Sequence, residues 1–170
     1  MRIAPAALLA VLLLSPLATA ADGGRVVQPP YAEPKVVFDF FFDRPDKIGP
    51  ALFWIRSLIN PLGETPYNLS PDLMEIVVVV HGTEIVTLAK KNYAKYQEVV
   101  ERMRYYASLG VKFRVCGMAA HDYSYQNEDF YDFVEIAPSA LTELVHWQQQ
   151  GFALITPQVM EKRLDIQDIR

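Results

Sequence analysis

One cysteine, three histidines and no surplus of positive charge bound what this 170-residue chain can do. A lone thiol cannot close an intramolecular disulfide, so stability has to come from packing, in keeping with a hydrophobic share of 51%. The formal net charge of −4 leaves no basic excess to neutralise phosphates or anionic lipid, which argues against nucleic acid as a partner. No glycine-rich turn follows an apolar run, so nucleotide binding has no support. A Gly-x-Ser-x-Gly turn is absent too, which removes the usual hydrolase nucleophile. The spacing of His81, Cys116 and His121 matches no standard zinc pattern, so no metal is expected.

The amino terminus has the form of a secretory signal. Arg2 supplies the positive charge, Ile3 to Leu17 are apolar, and Ala18-Thr19-Ala20 fits a small-residue cleavage site. Residues 1–20 are therefore expected to be removed, placing the mature protein in the periplasm or outside the cell, with no membrane attachment after cleavage. Residues 21–34 are rich in proline and glycine and predict a flexible leader. One domain is expected over 35–157, followed by a mixed tail at 158–170.

Within that domain apolar runs and amphipathic stretches alternate. Lys35 to Phe42 is β-branched and aromatic, hence a strand; Asp46 to Ile59 repeats Ile48, Leu52, Ile55 and Leu58/Ile59 on one helical face; Pro61 to Pro71 predicts a loop. Met74 to Gly82 contains an unbroken Val/Ile run, the pattern of a strand covered on both faces. Thr83 is expected to cap a short helix through Lys91. Asn92 should cap a second, whose apolar face is Tyr93, Tyr96, Val99/Val100, Met103 and Ala107, with Gly110 at its end. Gly110 to Cys116 predicts the third strand, Phe133 to Ile136 the fourth and Phe152 to Thr156 the fifth, with a helix opened by Pro138-Ser139 and closed by Gly151 between the last two. Strands alternating with helices and connected by crossovers predict a doubly wound α/β sandwich.

In such sheets ligands bind beyond the carboxyl ends of the strands. That rim collects Phe42/Asp43, His81/Gly82 and Cys116/Gly117, with His121 five residues past the thiol. Thiolate is the reactive form of sulfur, and it is favoured by nearby imidazolium and by backbone N–H groups. Cys116 is thus the candidate catalytic residue, with His81, Gly82, Gly117 and His121 as candidate binding residues; His146 beside Trp147 reads as structural. Tyr123, Tyr125, Phe130 and Tyr131 lie in an acidic stretch without a period; they could cover the thiol, dock a second subunit or simply pack, and exposed interface anchors are the expectation.

Three segments, Val77 to Gly82, Gly110 to Cys116 and Ala137 to Ala153, resemble in sequence and order the exported DsrE/DsrF-like proteins, over roughly residues 35–157. The resemblance implies a flavodoxin-like sandwich with a mostly parallel five-stranded sheet, assembled as a homo-trimer or homo-hexamer. It further implies a sulfur carrier or sulfurtransferase that needs no cofactor. Persulfide would ride on the cysteine after the third strand, a position that Cys116 matches. The implied partners are sulfur donor and acceptor proteins or small sulfur compounds. The residues alone leave two other readings open: a non-catalytic oligomeric module that binds a small ligand or metal at the same rim, and a structural subunit with a buried cysteine.

Overall fold

The computed structural model describes residues 23–170; the expected signal segment lies outside the described residues. Among those described, no helix is long and apolar enough to cross a membrane. Residues 23–34 carry no helix or strand.

Five parallel strands form one sheet: β1 (Lys35–Phe40), β2 (Glu75–Val80), β3 (Lys112–Cys116), β4 (Val134–Ala137) and β5 (Ala153–Ile155), in the spatial order β4-β3-β2-β1-β5. Helices α1 (Ile48–Gly63), α2 (Tyr93–Ser108), α3 (Gly117–Asp122), α4 (Ala140–Gln149) and α5 (Ile166–Ile169) complete a flavodoxin-like α/β architecture. The sheet is parallel throughout because every connection crosses over.

Successive connections from β1 to β4 step in one direction along the sheet, and the β4–β5 connection steps back across it. Right-handed crossovers therefore place α4 on the face opposite α1 and α2. Alternation along each strand assigns the side chains. Val36, Phe38, Phe40, Ile76, Val78, Val80, Phe113 and Val115 pack with α1 and α2. Val37, Val77, Val79 and Cys116 point the other way and pack with Ala140, Leu144 and Phe152.

Helix α1 buries Ile48, Ala51, Leu52, Ile55, Ile59 and Leu62, the stripe its periodicity predicts. It runs further than expected. The sequence predicts a loop from Pro61, yet the helix continues through it to Gly63. The missing N–H frees only the carbonyl four residues back, on Ser57, which is exposed and open to water.

Two further expectations are corrected. Thr83 does not cap a helix: its hydroxyl donates to Phe42 O at 3.0 Å, and Thr83–Leu88 is a 3-10 segment. The aromatic stretch is not an exposed loop, since Tyr125, Phe130 and Tyr131 belong to the main core and Tyr123 alone of the four is exposed. Lys91 sits 4.4 Å over the Tyr125 ring, and Phe130 forms an isolated bridge to Ala89. Residues entering a core from an irregular segment leave no period to read.

Candidate functional site

Adjacent strands β3 and β4 send the chain to opposite faces. After Cys116 it enters α3, whose Ala120 packs into the α1/α2 core, whereas after Ala137 it turns to α4 on the other side. The last register pair of these strands is Cys116 with Ala137, so the only cysteine stands at the topological switch point.

Cys116 is the cap residue of α3, and its sulfur accepts a hydrogen bond from the Ala119 N–H at 3.5 Å. It is 6% exposed. Gly117 permits this arrangement by its size: a Cβ there would lie 2.8 Å from Ala137 O and 3.4 Å from the Ile136 side chain. Gly117 thus brings the end of β4 against the turn that carries the sulfur.

Gly82 does the same one strand away. A Cβ would meet Phe42 N and Glu84 Oε2 at 2.5 Å, so the β1 and β2 ends close on each other only around glycine. Glu84, a charged residue with 0% exposure, fills the remaining polar need. Its Oε2 accepts from Phe42 N at 3.0 Å, and its Oε1 accepts from Gly82 N at 2.9 Å and His81 N at 3.3 Å. Burial pushes its carboxyl above the ordinary value of 4.5, opposed chiefly by the backbone N–H groups of Gly82, Glu84 and Phe42.

His81 follows the last register pair of β2 and β3, Val80 with Val115, so its backbone stands beside that of Cys116 and its side chain leaves on the same sheet face. The ring, however, turns toward β1. Its Nε2 lies 2.6 Å from Asp39 Oδ1, and the exposed ring of Phe41 stacks on it at 4.8 Å with planes 13° apart. Thr156, just past β5, donates to the other oxygen, Asp39 Oδ2, at 3.4 Å.

Of the expected site residues, the fold gathers Cys116, His81, Gly82 and Gly117 on neighbouring strand ends. It does not bring in His121, which stands 88% exposed on α3 with only Asp122 nearby, at 4.0 Å. Among the described residues no group of three or more His, Cys, Asp or Glu side chains is arranged to hold a metal. A cleft of about 1040 Å³ lies elsewhere, between Asp43, Arg44 and Lys47 and the tail residues Val159–Ile169.

Sequence reading missed Asp39, Glu84, Phe41 and Thr156. A clue to Asp39 was available: it is the one acid inside the run Val36 to Phe42, on a strand otherwise buried. Nothing local pointed to Glu84, whose partners on the β1 side come from 42 residues away.

No curated protein matches the chain. A solved structure, that of a protein of unknown function, MTH1491, from Methanobacterium thermoautotrophicum, is similar with 21% identity and a TM-score of 0.59, over 74% of this chain and 100% of that one. At that identity the likeness speaks to the fold. The DsrE/DsrF-like family matches residues 35–157, the whole sheet with its helices α1 to α4. With that match spanning most of its length, the chain belongs to the DsrE/DsrF-like family.

Proposed function

We propose that this protein is a periplasmic sulfur carrier in which the Cys116 thiolate takes sulfane sulfur from a donor and holds it as a persulfide for an acceptor. Family membership suggests a sulfur-relay role. The observation that carries the assignment to Cys116 is its place at the switch point, as the cap of α3 with a backbone N–H on the sulfur. A donor directed at sulfur supports negative charge there, on thiolate or persulfide alike. Attack on a persulfide donor forms the new S–S bond at Cys116, breaks the donor's S–S bond and releases the donor as a thiol. Burial of the thiol suits a carrier, because the loaded sulfur is kept from stray thiols until an acceptor reaches the rim.

The same burial, within a cluster of valines and Leu144, is what favours the rival reading of a structural subunit with an inert cysteine. One experiment separates the two. Native protein exposed to polysulfide gains one sulfur by intact mass, the gain is lost on reduction, and Cys116→Ser shows none while melting at the same temperature. A thiol that labels only after unfolding, with no sulfur gained in the native state, overturns the carrier.

A homo-trimer or homo-hexamer is part of this reading. The aromatic anchors expected for it are buried, but Met118 on α3 and Leu141 and Val145 on α4 are large, apolar and exposed on the two helices that flank the rim. Light scattering should read a trimer or larger; a monomer across a wide concentration range overturns it.

A further inference from the structure

The geometry points to Asp39 and His81 as a proton-handling pair for sulfur transfer at Cys116, an inference that rests on the carrier reading above. Asp39 stands on the α4 face of β1, beside Val37 in the strand pattern, with its side chain 19% exposed, so its carboxylate needs partners. Its two oxygens are both used: Oδ1 lies 2.6 Å from His81 Nε2, and Oδ2 accepts from Thr156 at 3.4 Å. A carboxylate can only accept, so the imidazole hydrogen is held on Nε2 and the lone pair is left on Nδ1. Among the described residues none hydrogen-bonds to Nδ1. Phe41 stacks on the ring and fixes its plane.

The β2–β3 register brings His81 and Cys116 to neighbouring strand ends. Val80 and Val115 are the last paired residues of these strands, so His81 and Cys116 follow at adjacent strand ends, on the same sheet face. The ring leans toward β1 and the thiol is held by α3.

The step balances without any other reagent. Cys116–SH gives its proton to His81 Nδ1; the thiolate attacks the outer sulfur of a persulfide R–S–SH; the S–S bond of that persulfide breaks; and His81 returns the proton to the departing R–S⁻. The products are Cys116–S–SH, R–SH and neutral His81. Asp39 touches no reacting atom and is a positioning residue, while His81 is catalytic. The ionisable groups around the ring are Asp39 from β1, Glu84 from the turn after β2 and Cys116 from β3. The covering helix α4 offers Glu143, which is engaged with Trp147 and faces Arg114.

The test is single-turnover loading of Cys116 by a glutathione persulfide donor, followed by intact mass between pH 5 and 9, for wild type, His81→Ala, His81→Gln and Asp39→Asn. General acid–base help of this kind is worth on the order of 100-fold or more. His81→Ala and His81→Gln should load about 100-fold more slowly, and added imidazole should restore part of the rate to His81→Ala alone. Asp39→Asn should load at an intermediate rate with a displaced pH profile. If wild type loads and the variants load equally fast with the same profile, or if imidazole restores nothing to a His81→Ala protein of wild-type melting temperature, the proton role is overturned. If wild type itself does not load, the carrier reading is what fails.

Discussion

On the α1/α2 face the strands present Val36, Phe38, Phe40, Ile76, Val78, Val80, Phe113 and Val115, whereas the α4 face of the same strands carries Asp39, Arg114, Glu135 and Cys116 beside its valines. The first face is covered by two helices of 16 residues each, the second by one helix of 10. Apolar burial supplies most of the folding free energy, so the α1/α2 face anchors the sheet. The α4 face keeps its polar groups partnered instead: Arg114 pairs with Glu135 across β3 and β4, and His81 bonds Asp39 across β2 and β1. The proposed sulfur site thus lies on the face with the thinner apolar cover.

Three substitutions test that division, in falling order of effect. Phe113→Ala on the α1/α2 face should cost about 3–5 kcal/mol by urea unfolding, against roughly 2 kcal/mol for Leu144→Ala beneath α4. Equal losses at the two positions would erase the asymmetry. Gly117→Ala puts a methyl 2.8 Å from the Ala137 carbonyl and should cost about 1–3 kcal/mol, because the obstacle is backbone. The same variant should slow sulfur loading at Cys116; unchanged stability would mean that the β4 end shifts freely and the switch point is looser than described.

Glu84→Gln tests the clamp that ties the two central strand ends. Burial raises the Glu84 carboxyl above 4.5 in the folded state, so the folded protein holds this proton more tightly than the unfolded chain. The resulting stabilisation is complete below pH 4.5 and is lost as pH rises through the raised folded value. Wild type should therefore lose stability relative to Glu84→Gln as pH climbs through that window, then run parallel to it. A pH-independent difference between the two unfolding curves would show that the backbone donors fully offset the burial.

Strands β1 to β3 were legible because continuous runs of Val, Ile and Phe have few other ways to be buried. Cys116 was legible as the end of such a run. Helix α4 was legible from Ser139, whose Oγ accepts from Thr142 N, and from Gly151 with φ of +86°. The partner of His81 was not, because sequence gives the residues on each strand but not which strand lies beside which. Asp39 and His81 meet only through the β1–β2 pairing, 42 residues apart. Tyr125, Phe130 and Tyr131 misled for the opposite reason: their acidic neighbours suggested solvent, while the rings fold inward and leave those charges outside.

The pairing of β5 with β1 has a consequence for how the chain is made. During synthesis from the amino terminus, β1 to β4 can assemble in order, each new strand joining the last, but the outer edge of β1 finds its neighbour only when Ala153–Ile155 arrives. Helix α4 also emerges late, so Val37, Val77 and Val79 remain uncovered for most of that time. A nascent chain with β4 but not α4 clear of the exit tunnel would therefore hold a half-dressed sheet, the outer edge of β1 and one face bare, the kind of surface that chaperones bind. Ribosome-bound chains ending before residue 140 should be cut readily by protease, and chains carrying residue 157 clear of the exit tunnel should resist it.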